Sequence, residues 1–103
     1  MTKLVLFPVR FLFTAATSQV GTNALAVEHY LADSHVPSAE LVAAALQWRA
    51  APPEDTDAAA TLLARELIPL YLTYIDDHTR RLMNVGRAAL ARSFEQWRDR
   101  LLA

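Results

Sequence analysis

Apolar side chains recur every three or four residues along most of this 103-residue chain. Near the C-terminus four of them follow one another at helical spacing, namely Leu90, Phe94, Trp97 and Leu101. This period matches one face of an α-helix, and no stretch alternates apolar and polar residues as a half-buried strand does. The chain is 53% hydrophobic and 20% charged, which is too apolar for a disordered protein. The sequence therefore predicts an all-α fold, a single bundle of five to six helices that forms one domain over residues 1–103.

Turn and capping residues divide the chain into these helices. The expected helices cover residues 7–17, 23–34, 39–51, 58–84 and 87–102. Their expected N-caps are Thr22 or Asn23, Ser38, and Thr56 or Asp57. Residues 18–21 form a predicted turn, and Gly86 marks a predicted break before the last helix.

Two prolines fall within segments whose pattern is otherwise helical. A proline is tolerated in the first turn of a helix, so we expect the first helix to begin near Phe7 with Pro8 in that turn. Pro69 lies deep inside the longest segment, where proline removes a hydrogen bond. We therefore expect Pro69 to kink the fourth helix or to split it in two.

Some residue types are too scarce for common catalytic or cofactor sites. The chain has no cysteine, which excludes a disulfide framework, a thiol nucleophile and a zinc site built on cysteine. Its two glycines are too few for a phosphate-binding loop or a dinucleotide fingerprint. No strained turn presents a serine nucleophile, and no histidine follows an arginine at the spacing used by helical nucleases found beside nucleotidyltransferases. We therefore predict no catalytic residue in this chain.

Charge is unevenly distributed along the sequence. Residues 1–78 hold four basic and nine acidic residues, a net charge of −5, whereas residues 79–103 hold six basic and two acidic ones, a net charge of +4. A basic tail beside an acidic body indicates a partner, or pairing within the same fold, more than a nucleic-acid site. We therefore predict no nucleic-acid partner.

The N-terminus is similar in composition to a secretory signal peptide, because Lys3 precedes an apolar run. Pro8 and Arg10 interrupt that run, and a charge there is costly to insert into a membrane. We expect a cytoplasmic chain that makes no contact with a membrane.

Arg10 is an unusual residue for its surroundings, since apolar and aromatic residues flank it on both sides. A buried guanidinium needs an acceptor, because an unpaired one costs several kcal/mol. One interpretation pairs Arg10 with an internal acid such as Glu66 or Asp76. The other presents Arg10 to an anionic ligand such as phosphate.

Histidines and carboxylates offer a weak metal pattern. His29 and Asp33 lie four residues apart on one expected helix, and His78 follows a pair of aspartates on another. This spacing suits metal ligands, but it is equally typical of a solvated polar face. We favour the polar face and predict no metal site.

The segment from Arg10 to Asn23 reads RFLFTAATSQVGTN. An arginine is followed by aromatic residues, a turn after threonine, an aliphatic residue and a polar residue that opens the next helix, where Ala26 and Tyr30 come later. This pattern resembles a segment in the C-terminal domain of aminoglycoside adenylyltransferases. The likeness continues through a third helix ending at Trp48, an acidic linker and a long helix, and it spans residues 4–80.

The resemblance implies a non-catalytic helical lid that closes over a nucleotidyltransferase domain and helps to bind an aminoglycoside and ATP. ATP and magnesium are then held only with that N-terminal domain, which this chain lacks. Arg10 and Asn23 fall on the nucleotide side. Glu28 and Asp33 are candidate anions for the polycationic substrate, which the negative charge of residues 1–78 would attract.

Two positions depart from the family pattern. The glycine of the family's turn is Ser18 in this chain, and the family's lysine, which contacts nucleotide phosphates, is Asn23. Asparagine can cap a helix or donate to a phosphate, but it brings no charge.

A second interpretation is a small helical interaction protein that forms a homodimer or docks on a separate nucleotidyltransferase chain. Its contact surfaces would be the apolar first segment and the C-terminal stripe described above, because exposed apolar patches drive association.

Overall fold

The computed structural model describes residues 2–33 and 35–103. These residues form five α-helices and no strand: α1 (Thr2–Thr17), α2 (Asn23–Leu31), α3 (Ala39–Ala50), α4 (Thr56–Asn84) and α5 (Ala88–Leu102). The predicted all-α bundle is confirmed. The second helix ends at Leu31, short of its expected end at Ser34, and Ser34 itself lies outside the described residues.

Helix α1 lies at the centre of the fold, because it packs against α2, α3 and α4. Its buried residues meet buried side chains from all three neighbours, and these form one apolar core. The large side chains of that core that are completely buried are Val5, Val9, Leu41, Val42 and Leu70. The near-continuous apolar sequence of the first segment follows from this position, since a helix with three neighbours buries more than one face.

The expected start of α1 near Phe7 is wrong, because the helix begins at Thr2 and runs through Pro8. Proline has no N–H, so Pro8 leaves the carbonyl of Leu4 without its usual partner one turn earlier. The hydroxyl of Tyr71 on α4 donates a hydrogen bond of 2.7 Å to that carbonyl. A residue 67 positions away thus replaces the missing donor, which allows the helix to extend beyond the proline.

Helix α4 is continuous through Pro69, so it is not split. The carbonyl of Glu66, three residues before this proline, accepts a hydrogen bond of 2.6 Å from the Ser38 hydroxyl, whereas the carbonyl that loses its helical N–H partner to Pro69 is that of Arg65. Ser38 precedes α3 as expected, but with its hydroxyl directed at α4 it makes no side-chain cap. The N-cap of α4 is Asp55 rather than Thr56 or Asp57, and its carboxylate accepts from the Ala58 N–H at 2.9 Å.

The connection from α1 to α2 follows the predicted turn. Ser18 has a φ of 59°, the left-handed conformation that favours glycine. Thr22 caps α2, and its hydroxyl accepts from the Leu25 N–H at 3.2 Å. After α2, the Tyr30 hydroxyl donates to the Pro37 carbonyl at 2.8 Å, and burial together with nearby Asp33 raises the pKa of Tyr30 to about 12.

A tight turn reverses the chain between α4 and α5. Gly86 has a φ of 77°, the Arg87 N–H donates to the Leu82 carbonyl at 2.8 Å, and the Gly86 N–H donates to the Met83 carbonyl at 3.1 Å. This pair of bonds is the Schellman motif, which ends helices at a left-handed residue. The predicted break at Gly86 is confirmed.

Aromatic rings join α5 to α4. Phe94 and Trp97 of the predicted stripe lie 6.2 Å and 6.3 Å from Tyr74, measured between ring centroids. An ion pair of 2.8 Å between Arg98 and Asp76 spans the same two helices. Part of the basic tail thus pairs within its own fold. Within the described residues α5 packs on α4 alone.

Helix α4 contains an 18-residue window with a mean hydropathy of 1.2, and by length and composition alone it is apolar enough to cross a membrane. The core helix of a soluble protein meets the same criterion, and α4 contributes Leu70, Tyr74 and Ile75 to the buried interior. One such helix is therefore weak evidence, and the absence of membrane contact stays a prediction.

Candidate functional site

A cleft of about 420 Å³ opens along the face of α1 that looks towards the start of α2 and the end of α3. We call it the α1 cleft. Its lining consists of six residues of α1, the first residue of α2 and the penultimate residue of α3, namely Lys3, Leu6, Phe7, Arg10, Phe11, Thr14, Asn23 and Arg49. Three of these side chains are basic and none is acidic, so the cleft presents positive charge next to aromatic surface.

Arg10 reaches across the mouth of the turn between α1 and α2. Its Nη2 donates to the carbonyl of Gly21 at 3.0 Å. The pairing of Arg10 with Glu66 or Asp76 is therefore wrong. The nearby basic partners of these acids are instead Arg65, 3.8 Å from Glu66, and Arg98. Arg10 lies on the exposed side of α1, opposite the core, where a carbonyl suffices as its acceptor.

Arg49 is positioned by Asn23. When the Asn23 amide is assigned in the orientation that satisfies its hydrogen bonds, its oxygen faces the guanidinium and accepts from Arg49 Nη1 at 3.1 Å and from Nε at 3.3 Å. Both ends of the contact sit at helix termini, since Asn23 opens α2 and Arg49 lies in the last turn of α3. The packing of α2 on α3 thus places the Arg49 guanidinium in the cleft that Arg10 also lines. The sequence alone does not predict this proximity.

The two guanidinium groups of the cleft bond to uncharged acceptors. Of the seven other arginines four pair with carboxylates, among them Arg80 and Arg81 with Asp77 at 2.7 Å and 2.8 Å. None of the ion pairs among the described residues involves Lys3, Arg10 or Arg49. A carbonyl or an amide orients a guanidinium without cancelling its charge, so the cleft keeps its positive potential for an anion.

Phe7 and Phe11 form the aromatic wall of the cleft. Their ring centroids are 4.7 Å apart, and both rings also contact Tyr74, at 6.1 Å and 6.0 Å. Although they are held from behind in this way, 46% of Phe7 and 43% of Phe11 remain exposed. Large exposed aromatic side chains next to a basic group are typical of a binding surface.

The predicted substrate-binding acids lie elsewhere. Glu28 is exposed on α2, and Asp33 lies just beyond the end of that helix. One carboxylate oxygen of Asp33 accepts from the His35 N–H at 2.9 Å, which closes a local turn. Neither residue lines the α1 cleft, so of the four predicted site residues the structure brings together only Arg10 and Asn23.

A second, more acidic cleft of about 680 Å³ lies where α3 is joined to α4. Trp48 lines it together with Glu40, Glu54 and Asp55. Glu40 already pairs with Arg65 at 3.5 Å, and Asp55 is occupied as the N-cap of α4. Two of the three carboxylates of this cleft thus have structural roles.

Within the described part of the chain no group of three or more candidate metal ligands meets, and the absence of a metal site stays a prediction. His29 packs edge-on against Phe13, with ring centroids 5.5 Å apart. His78 lies among aromatic rings, 4.9 Å from Tyr74 and 5.4 Å from Phe94. Burial in this cluster lowers the pKa of His78 below 6.5, despite the opposing effect of the Asp77 carboxylate.

Sequence reasoning missed four of the lining residues that matter most, namely Lys3, Phe7, Phe11 and Arg49. Three of them, Lys3, Phe7 and Phe11, could have been found from their spacing along one helix. Lys3 and Arg10 are seven positions apart, which is two helical turns, and Phe7 lies between them on the same side. Nothing in the local sequence places Arg49 beside them, because only tertiary packing brings the end of α3 to α1.

The fold and this cleft define the molecule as an all-α domain with a basic, aromatic-walled cleft on its central helix. We find no family model, no curated protein and no solved structure that the chain matches.

Proposed function

We propose that this chain is a non-catalytic helical binding domain that holds an anionic ligand, with phosphate as the anion, in the α1 cleft. The observation that carries this proposal is the pair of guanidinium groups held by neutral acceptors. Arg10 is bonded to a backbone carbonyl and Arg49 to the Asn23 amide, while Lys3 adds a third positive charge. Charge-assisted hydrogen bonds from such a fork are well suited to phosphate oxygens.

The resemblance to the C-terminal domain of aminoglycoside adenylyltransferases supports phosphate as the anion. Arg10 and Asn23 are the positions that the resemblance places on the nucleotide side, and both line the cleft. Arg49 supplies a charge beside the position where the family lysine is replaced by Asn23. In this proposal ATP and magnesium are held, and adenylyl transfer is catalysed, by a separate nucleotidyltransferase domain.

Isothermal titration calorimetry of the chain with tripolyphosphate measures the binding affinity and tests the proposal. We expect Arg10→Gln and Arg49→Gln each to weaken binding by between about tenfold and a hundredfold, because each removes a charged donor whose hydrogen bond is worth about 1.5–3 kcal/mol. Arg92→Gln is the matched control, since it removes the same charge from the exposed surface of α5. Arg10→Lys keeps the charge and separates its effect from the loss of the bond to Gly21. Equal losses in all variants, or no binding by the natural chain, would refute the proposal.

The aminoglycoside part of the prediction has less geometric support. Glu28 and Asp33 line neither cleft, so contact with a polycationic substrate needs surface from another domain. Titration of the chain with an aminoglycoside, before and after a combined change of Glu28 and Asp33 to Ala, tests it. An affinity that does not change removes both residues from the site.

Self-association is the second candidate function, and exposed apolar side chains on α1 favour it. Leu4 is 52% exposed and lies one turn from Phe7, which is followed by Phe11 on the same side. The C-terminal stripe is a weaker candidate surface, since Phe94 and Trp97 pack on α4. Light scattering at high concentration decides between the two functions, because a monomer that binds tripolyphosphate contradicts self-association.

A further inference from the structure

We infer that the ligand of the α1 cleft is an organic anion with a planar aromatic group, such as an aryl phosphate, and not a bare inorganic anion. This inference rests on the proposed function and names the class of ligand that the cleft would take. It comes from the aromatic wall beside Arg10, where Phe7 and Phe11 keep nearly half of their surface exposed.

The two rings are fixed in place and do not fold into the cleft. Each makes an edge contact with Tyr74, with interplanar angles of 81° for Phe7 and 65° for Phe11. Phe11 also meets the His78 ring at 5.9 Å. Because α4 holds these rings from behind, their outer surfaces form a preorganised apolar platform, and binding there costs little ordering of side chains.

The platform is at the right distance from the charges for one small molecule to use both. Phe7 and Arg10 are three residues apart on α1, which is about 4.5 Å along the helix axis. A phosphate bonded to Arg10 and Arg49 therefore leaves the rest of its molecule over the phenylalanine rings. The cleft volume of about 420 Å³ matches a ligand with one ring system.

The wall of Phe7 and Phe11 suits an aromatic ligand group better than an alkyl group. Tilted and edge-on ring contacts carry a geometric preference beyond the burial of area, and the existing contacts around Phe7 and Phe11 are of this kind. An added ring from a ligand extends the same cluster. An alkyl chain gains only the burial of its area.

Titration of the natural chain with a series of phosphomonoesters tests this inference and needs no variant. Methyl phosphate measures the anion contact, phenyl phosphate adds an aromatic ring, and cyclohexyl phosphate adds an apolar ring of similar size that is not aromatic. We expect phenyl phosphate to bind about tenfold more tightly than methyl phosphate and more tightly than cyclohexyl phosphate. Equal affinities for methyl and phenyl phosphate, or a preference for cyclohexyl phosphate, would overturn the inference.

A double variant checks that the preference comes from this wall. With Phe7→Leu and Phe11→Leu together, the surface stays apolar but loses its rings, so the ratio of the phenyl and methyl phosphate affinities should fall severalfold, to the part that burial of area alone provides. Circular dichroism confirms that the variant is folded. An undiminished ratio in a folded variant contradicts the assignment. Failure of the proposed function looks different, since in that case neither tripolyphosphate nor any member of the series binds.

Discussion

The hydrogen bond from the Tyr71 hydroxyl to the Leu4 carbonyl should stabilise the fold only because residue 8 is proline. Tyr71→Phe removes the hydroxyl and leaves this carbonyl with neither a side-chain nor a backbone donor. A typical hydrogen bond contributes about 0.5–1.5 kcal/mol, and this one is partly exposed, so water recovers some of it. We therefore expect Tyr71→Phe to lower the free energy of unfolding by about 0.5–1 kcal/mol.

A double-mutant cycle isolates this contribution. Pro8→Ala supplies an N–H to the Leu4 carbonyl, so in that background the loss of the Tyr71 hydroxyl should cost close to nothing. The cavity that Pro8→Ala creates is present in both arms of the cycle and cancels. The coupling free energy should then be about 0.5–1 kcal/mol, close to the cost of Tyr71→Phe alone.

Urea unfolding followed by circular dichroism provides the assay. With a slope of about 1–3 kcal/mol/M, the change moves the midpoint by roughly 0.5 M in the natural background. Tyr71→Phe with the same cost in both backgrounds would refute the reasoning, because the hydroxyl would then stabilise the protein independently of Pro8. A change of slope would mean that the denatured or native ensemble had changed instead.

Three further predictions follow from local geometry. Ser18→Gly should raise the free energy of unfolding by about 1 kcal/mol and Gly86→Ala should lower it by a similar amount, because both positions have a positive φ; urea unfolding measures both. The free energy of unfolding should fall as the pH drops below about 6.5, because the lowered pKa of His78 means that the unfolded chain binds a proton before the folded chain does. In a pH series, His78→Phe should lack this part of the decrease. Asn23→Asp should weaken tripolyphosphate binding more than Asn23→Ala does, because a carboxylate neutralises Arg49 whereas alanine only releases it; the opposite order in calorimetry contradicts the role of the neutral acceptor.

The helices were predictable because their causes are local. Thr22 caps α2, and Gly86 ends α4 in a left-handed backbone conformation that glycine, unlike other residues, adopts without strain. The start of α1 was not predictable in this way. The rule that places proline in the first turn assumes that no other donor reaches the orphaned carbonyl, and here Tyr71 reaches it from another helix.

The candidate site was predictable only in part, for the same reason. Arg10 was identified because apolar residues flank it in the sequence. In the structure its side chain lies on the exposed side of α1, away from the buried apolar residues. Its expected acidic partners belong to α4, while its true acceptor is Gly21, eleven residues along the chain. The pairing of Asn23 with Arg49 depends on how α2 packs against α3, and no local pattern encodes it.

The packing of α5 on a single neighbour gives the protein two levels of stability. Ala91 is the buried residue that α5 contributes, whereas α1 is enclosed by three helices. In hydrogen exchange, the amides of α5 should therefore exchange through a partial opening that leaves the rest folded, and those of α1 only through global unfolding. A ligand in the α1 cleft should slow the second process more than the first, because no residue of α5 lines the cleft and α5 reaches its aromatic wall only through α4. Exchange measured with and without tripolyphosphate would thus separate the molecule into the part that senses its ligand more strongly and the part that senses it less.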